Sequence, residues 1–161
     1  MPETATEQAL RDHDLRVTRP RVAVLEAVGE NPHSDTGSII NLVRNEIGDV
    51  SHQAVYDVLR VLTEAGLLRH IQPSGSVARY ESRVGDNHHH VVCRSCGAVA
   101  DVDCVTGAAP CMDGSADHGF EIDECDVTFW GTCPDCRSGR TGRAGINPVD
   151  RSNSERKETR V

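Results

Sequence analysis

Apolar residues recur at helical spacing in three stretches of the first half of the chain, which predicts three helices. Each stretch follows a residue type that favours a helix N-terminus: Thr18, then Ser34 or Asp35, then Ser51. Glycines end the second and third stretches, as expected at helix C-termini. The apolar positions are Val22, Leu25 and Val28; Ile39, Ile40, Val43 and Ile47; and Val55, Val58, Leu59 and Leu62.

After residue 66 the apolar period changes from that of a helix to that of a strand. Residues 67–71 (LLRHI) and 77–81 (VARYE) predict two strands joined by a turn at Pro73-Ser74-Gly75. Three or four short helices followed by a hairpin are the layout of a winged helix-turn-helix. The first part of the chain is therefore expected to be a winged-helix domain.

The second half of the chain predicts short strands at 88–93 (HHHVVC), 97–103 (GAVADVD) and 127–130 (VTFW). Residues 104–119 predict a loop or a weak helix, and from residue 137 onward the composition predicts a disordered tail. We expect an α+β chain with a winged-helix domain at 1–83, a metal-binding domain at 84–136 and a basic tail at 137–161.

The composition predicts a small hydrophobic core that needs further stabilisation. Only 3% of the 161 residues are aromatic, so the core must consist mainly of Val, Leu, Ile and Ala. Small domains of this kind often depend on bound metal or disulfides, and the chain has seven cysteines and eight histidines. Neither a membrane span nor a signal peptide is predicted. In the cytoplasm, where we expect the protein, closely spaced cysteines are metal ligands or redox thiols.

The formal charge of −8 argues against nucleic-acid binding only until it is divided by segment. Residues 1–83 hold nine basic and twelve acidic side chains, residues 84–136 hold one and ten, and residues 137–161 hold seven and three. The acidity belongs to the middle segment. The predicted winged-helix domain is nearly neutral, so the charge does not exclude DNA.

Two C-x2-C pairs are the strongest chemical signal. Cys93 and Cys96 form one pair, Cys133 and Cys136 form the other, and 36 residues separate them. Four thiolates on two turns supply the closed tetrahedral shell of a structural zinc site. Disulfides or a thioredoxin-like redox pair are the alternatives.

Three further cysteines, Cys104, Cys111 and Cys125, are expected to be small buried or loop thiols. An oxidation-sensitive pair of Cys104 and Cys111 stays open.

A second metal site is predicted where histidines alternate along a strand. His88 and His90 are two residues apart, so both imidazoles leave one face and the intervening histidine points to the other. Asp101 is expected to face the same side, and His33 and Glu81 would make the site bridge the two domains. Imidazoles and carboxylates suit Mn²⁺ or Fe²⁺ as readily as Zn²⁺. Taken singly, each has an ordinary surface or turn role as its alternative.

No catalytic signature accompanies these ligands. The sequence lacks both HExxH and the H-x-E…C-x-x-C arrangement that places a general base beside a metal. We therefore expect a protein that is not an enzyme. A zinc-ribbon interaction module and a thiol redox protein are alternatives of another class.

Taken together, these residues resemble the ferric uptake regulator (Fur) family of metal-dependent repressors over residues 8–136. The similarity lies in LRVTRPRVAVLEAV (15–28), NPHSDTGSI (31–39), VSHQAVYDVLRVLTEAGLL (50–68), ARYE (78–81), HHHVVCRSCGAVADVD (88–103) and GTCPDC (131–136). DNHHHVVCRSCG with DVDC and APC is most similar to the peroxide-responsive FurA/CatR-like branch, which represses catalase-peroxidase genes. The resemblance implies a homodimer on double-stranded operator DNA, with a C-terminal α/β dimerisation domain.

The resemblance also implies roles for the metal ligands. The structural zinc ligands would be Cys93, Cys96, Cys133 and Cys136. The regulatory ligands of Fe²⁺ or Mn²⁺ would be His33, Glu81, His88, His90 and Asp101. Asp101 is the acid of peroxide-responsive members and Glu81 is more typical of iron-responsive ones, so an iron- or zinc-responsive uptake repressor is the alternative. A further site of many members is expected to be absent or altered, since its positions hold Asn87, His89 and Cys125.

The peroxide-responsive branch implies that peroxide is sensed through the bound Fe²⁺. Oxidation of an imidazole ligand would release the metal and then the DNA. Oxidation of the zinc-binding cysteines is the competing route.

The third predicted helix would enter the major groove of DNA. It presents His52, Gln53 and Tyr56 from its first turn, and Gln53 suits an adenine. Asp57 is expected to weaken or re-aim the contact of Tyr56. The expected phosphate contacts, whose alternative is ordinary solvated surface, are Arg16, Arg19, Arg21, Arg60 and Arg79.

Overall fold

A computed structural model divides the chain into two compact units, residues 1–86 and 87–161, and describes residues 4–73, 76–85, 88–103, 120 and 127–139. The elements of the first unit are α1 (Ala5–Asp12), α2 (Arg19–Glu30), β1 (Ser34–Asp35), α3 (Thr36–Ile47), α4 (His52–Glu64), β2 (Arg69–Ile71) and β3 (Arg79–Glu81). The strands form an antiparallel sheet in the order β1-β3-β2. Helices α2 to α4 followed by the β2-β3 hairpin are a winged helix-turn-helix, which confirms the predicted fold.

The core of the first unit is aliphatic, as the composition predicts. Every apolar position used above to define the three helices is buried or packs against the buried cluster, and Tyr80 is an aromatic neighbour at its edge. The buried cluster consists of Leu10, Ala23, Val24, Ala27, Val28, Ile39, Ile40, Val43, Val55, Leu59, Leu62, Leu67 and Leu68.

Side-chain caps fix the N-termini of two of the predicted helices. Asp35, rather than Ser34, caps α3 by accepting a hydrogen bond from the Ser38 N–H at 3.0 Å. The Ser51 hydroxyl caps α4 by accepting from the Ala54 N–H at 3.1 Å. Thr18 occupies the N-cap position of α2, but its side chain makes no cap hydrogen bond.

Two elements of the first unit lie outside the predictions. Helix α1 begins with a reciprocal capping box, in which Thr4 and Glu7 each accept from the other's backbone N–H at 3.2 Å. Its Leu10 is fully buried. Strand β1 is two residues long and exists through its pairing with β3, so no local apolar pattern marks it.

The second unit contains β4 (His88–Cys93), β5 (Val99–Asp103), β6 (Thr128–Gly131) and α5 (Pro134–Arg137). The sheet order is β5-β4-β6, with β4 antiparallel to β5 and parallel to β6. The three strands were predicted, whereas the parallel pairing and α5 were not. Residues 104–119 and most of the predicted tail lie outside the described residues.

The buried residues described in the second unit are mainly polar. His88, His89 and His90 are all nearly inaccessible, and Val92 and Cys93 are the buried apolar residues beside them. Among the described residues, no helix combines the length and apolar character that crossing a membrane requires.

The caps of α4 and α2 provide a matched pair of substitutions. Ser51→Ala removes a cap hydrogen bond and is expected to lower the free energy of unfolding by about 1 kcal/mol. Thr18→Ala removes a hydroxyl from the same helix position without breaking such a bond, so its effect should be clearly smaller. Urea unfolding followed by circular dichroism measures both. Equal losses would contradict the assignment of Ser51 as the functioning cap.

Candidate metal centres and nucleic-acid interface

Two turns bring the four paired cysteines together. Cys93 is the last residue of β4, and the following turn ends at Gly97, whose φ of 72° is readily adopted by glycine. Cys133 is the N-cap of α5 and Cys136 lies within that helix. The parallel pairing of β4 with β6 brings these two turns to the same end of the sheet.

The distances between the thiols fit a tetrahedral metal centre. All four Sγ atoms lie within 4.8 Å of one another, and the Sγ atoms of Cys96 and Cys133 are 3.7 Å apart. Sulfurs bound to one zinc ion at about 2.3 Å lie about 3.8 Å apart. A disulfide needs about 2.05 Å, and all four cysteines are free. The cluster therefore fits a structural zinc site.

Electrostatics within the cluster also favour a cation. The Cys133 N–H donates to the Cys93 sulfur at 3.3 Å, and backbone donors of this kind lower the pKa of Cys93 to about 6. Hydrogen bonds with the neighbouring thiols, first that of Cys133, raise the pKa of Cys136 to about 12. The second shift opposes ionisation of all four thiols together, and a divalent ion removes that opposition.

In the second unit, the predicted alternation of the histidines is confirmed. His90 lies directly opposite Asp101 in the β4-β5 pairing. The Nε2 atoms of His88 and His90 are 4.0 and 3.8 Å from the same Oδ1 atom of Asp101. His89 faces the other side of the sheet, where its ring packs edge-on against Phe129. Donor atoms around one ion at 2.0–2.2 Å lie roughly 3–4 Å apart, so both distances to Asp101 are those expected between ligands of one metal.

In the first unit, His33 and Glu81 form a buried pair. The Nε2 atom of His33 is 3.1 Å from Oε2 of Glu81, and the Glu81 side chain is 1% exposed. His33 has a φ of 62°, in the left-handed region that costs a residue with a side chain roughly 1–2 kcal/mol. Both side chains offer ligand atoms of the type that suits Mn²⁺, Fe²⁺ or Zn²⁺.

Most of the predicted DNA-contacting residues lie on the surface. His52, Gln53, Tyr56 and Arg60 are exposed along α4, as are Arg16 and Arg19 near the start of α2, while Arg21 is partly exposed. Arg21 donates to the Arg16 carbonyl at 2.8 Å. A groove between α4 and the hairpin is lined by residues that include Gln53, Tyr56, Arg60, His70 and Tyr80.

Two of these side chains are held by carboxylates one turn along α4. Gln53 donates to Asp57 at 3.1 Å, and Arg60 donates to Glu64 at 3.0 Å. Both pairs are exposed, so each contributes little to stability and can exchange partners readily.

Arg79 was predicted to contact phosphate, but its side chain is buried in the structure. Its residue is only 6% exposed, and its Nη1 donates to the His33 carbonyl at 2.7 Å. Burial lowers the pKa of the Arg79 guanidinium, and the charge of Asp35 opposes this shift. A buried guanidinium engaged with the backbone is not an exposed wing contact. The position of Arg79 two residues before Glu81, on the same strand face, was the available signal.

Six further residues named in the sequence analysis lie outside the described residues. These are Ser74 and Gly75 of the predicted turn, and Asn87, Cys104, Cys111 and Cys125.

Comparisons with known proteins all identify the same family. The model of the ferric uptake regulator family matches residues 12–130. The chain is 65% identical over 137 residues, covering 85% of this chain and 93% of the relative, to the transcriptional regulator FurA of Mycobacterium tuberculosis (strain ATCC 25618 / H37Rv). It is 66% identical over 133 residues, covering 81% and 91%, to ferric uptake regulation protein 2 of Mycolicibacterium fortuitum.

A solved structure shows the same fold. The crystal structure of the Vibrio cholerae ferric uptake regulator matches with a TM-score of 0.65 at 24% identity, covering 79% of this chain and 98% of that one.

The thiol cluster generates a prediction about zinc. Cys96→Ser replaces a soft thiolate by a poor zinc ligand, so the purified variant should lose most of its zinc and unfold at a lower temperature. Ser95→Ala changes the neighbouring residue of the same turn and should retain both zinc and stability. Zinc content by atomic emission and thermal unfolding by calorimetry measure the difference. Full zinc retention by the Cys96 variant would contradict the proposed coordination.

Proposed function

Because the chain belongs to the ferric uptake regulator family of metal-responsive transcriptional regulators, we propose that it is a repressor that senses peroxide through bound Fe²⁺ and controls catalase-peroxidase genes. The observation that carries this proposal is the convergence of His88 and His90 on one oxygen of Asp101. Two imidazoles and a carboxylate at such distances form a nitrogen and oxygen donor set suited to Fe²⁺ or Mn²⁺.

The proposed regulatory ligands are His33, Glu81, His88, His90 and Asp101. The support within the first unit is the short contact between His33 and the buried Glu81 carboxylate. Burial of an ionised carboxylate is costly unless a cation or hydrogen-bond donors compensate for the lost hydration. A divalent metal would supply that compensation, while the separate thiol cluster would hold Zn²⁺.

The proposed regulation depends on metal ligands that come from both domains. If His33 and Glu81 join the ligands of the second domain, metal binding favours one arrangement of the winged helices in a homodimer. In that arrangement the two α4 helices would be spaced for successive major grooves of double-stranded operator DNA. Metal and DNA would then each increase the affinity for the other.

The proposed sensing step uses the histidine ligands. Fe²⁺ in this site would supply redox chemistry towards peroxide. His33, His88 and His90 are the imidazoles proposed to hold it, and oxidation of one of them would weaken it as a ligand. The chain would then lose the metal and, with it, the DNA-binding arrangement.

The exposed face of α4 is proposed to read the operator. Gln53 suits an adenine and Arg60 suits a phosphate. Asp57 and Glu64 hold these side chains in the free chain, so DNA must displace the two carboxylates. We therefore infer that Asp57 and Glu64 lower the affinity of α4 for DNA, including unrelated DNA.

A gel shift on a catalase-peroxidase promoter tests the peroxide response. The zinc-loaded protein should bind with Mn²⁺ or Fe²⁺ and should lose the DNA only when Fe²⁺ and peroxide are both present. Mass spectrometry should then find an added oxygen on His33, His88 or His90.

The Mn²⁺ sample with peroxide is the control for damage unrelated to iron. Oxidised Cys93 or Cys96 with unmodified histidines would refute the iron route in favour of thiol oxidation. Binding that ignores peroxide would instead support an iron- or zinc-responsive uptake repressor, a function that Glu81 and the similarity to a ferric uptake regulation protein favour.

A pair of charge substitutions tests the DNA-facing surface. Arg19→Ala should weaken binding to all DNA sequences. It should also reduce the magnitude of the negative slope of log K against log salt by about 0.9, as expected for one lost phosphate contact. Asp57→Asn retains an amide oxygen for Gln53 but removes a negative charge, so it should strengthen binding to unrelated DNA. Fluorescence anisotropy at several salt concentrations measures both. An unchanged slope for Arg19→Ala would rule out its phosphate contact.

A further inference from the structure

The backbone of His33 is held from both sides by one strand. Its N–H donates to the Tyr80 carbonyl at 2.9 Å, and its carbonyl accepts from the Arg79 guanidinium at 2.7 Å. The next residue of β3, Glu81, places its carboxylate 3.1 Å from the His33 imidazole. Three consecutive residues of β3 therefore contact the N–H, the carbonyl and the side chain of His33.

These contacts compensate for an unfavourable backbone conformation. His33 has a φ of 62°, which a residue with a Cβ atom rarely adopts without local support. The residue precedes β1, whose Ser34 pairs with Tyr80. Without the hydrogen bond to its carbonyl, the peptide that follows His33 would be held less firmly, and the direction of the imidazole would vary more.

The position of Arg79 on β3 allows this contact. Residues two apart on a strand share a face, so Arg79 and Glu81 lie on the same side of β3. Asp35 is the Cα partner of Arg79 in the β1-β3 pairing, and its charge opposes the effect of burial on the guanidinium. Removing one partner of a buried charged contact leaves the other unsatisfied, so replacing Arg79 is expected to lower stability as well as to remove the donor to the His33 carbonyl.

We propose that Arg79 is a positioning residue for the regulatory metal: by binding the His33 carbonyl, it fixes the His33 imidazole beside Glu81 as a ligand. This inference rests on the proposed function, because it takes His33 and Glu81 as ligands of that metal. Residues that orient a metal ligand typically contribute 10- to 100-fold to metal affinity.

The chain contains a matched control for this role. Arg44 also binds a backbone carbonyl of the first unit through its guanidinium, with Nε and Nη2 at 3.1 and 3.0 Å from the Val50 oxygen. It contacts no proposed ligand through these bonds. Replacing either arginine by methionine keeps much of the side-chain volume and removes the donors.

The test compares Arg79→Met, Arg44→Met and the unaltered zinc-loaded protein by titration with Mn²⁺. Arg79→Met should bind Mn²⁺ about 10- to 100-fold more weakly, whereas Arg44→Met should keep the original affinity even if both variants unfold at a lower temperature. With Co²⁺ in the regulatory site, the visible absorption of Arg79→Met should change towards that of His33→Ala. If Arg79→Met does not fold, Arg79→Gln, which is too short to reach the carbonyl in the same way, takes its place with the same expected result.

Equal Mn²⁺ affinity in the Arg79 and Arg44 variants, with unchanged Co²⁺ spectra, would overturn this inference and leave the proposed function intact. Failure of the unaltered zinc-loaded protein to bind Mn²⁺ at all would overturn the proposed function itself. The two failures are therefore distinguishable in one series of titrations.

Discussion

The described part of the second unit depends on one constraint. It buries imidazoles and a thiol beside few apolar side chains. His88, His89 and His90 are buried together with Val92 and Cys93. Imidazoles and thiols gain less than aliphatic side chains from leaving water, so burying them stabilises a fold only when partners satisfy them. The thiol cluster and the Asp101 carboxylate provide such partners, and metal ions would convert both sets into cross-links between strands.

The first unit differs, because its core is a cluster of buried aliphatic side chains. Its contribution to the proposed regulation is the strand β3, which belongs to the wing and also carries Arg79 and Glu81. The same strand that completes the winged helix therefore orients His33. If His33 and Glu81 hold the proposed metal, a strand of the wing supplies one of its ligands directly.

Local patterns in the sequence predicted the parts of this structure that local physics determines. Helical periodicity identified α2, α3 and α4, and the alternation of side chains along β4 placed His88 and His90 on the face of Asp101. Helix α1 was missed although its capping box is visible in the sequence. The role of Arg79 was missed because its partner, His33, is 46 residues away, and the only local signal was that Arg79 shares a strand face with Glu81.

We propose that the regulatory metal and DNA stabilise the same state of the protein. The most direct test is the Mn²⁺ affinity of the zinc-loaded protein measured with and without a catalase-peroxidase promoter fragment. DNA is expected to raise the metal affinity by the same factor by which Mn²⁺ raises the DNA affinity, because coupling between two binding sites is reciprocal. Identical Mn²⁺ affinities with and without DNA would rule out this coupling.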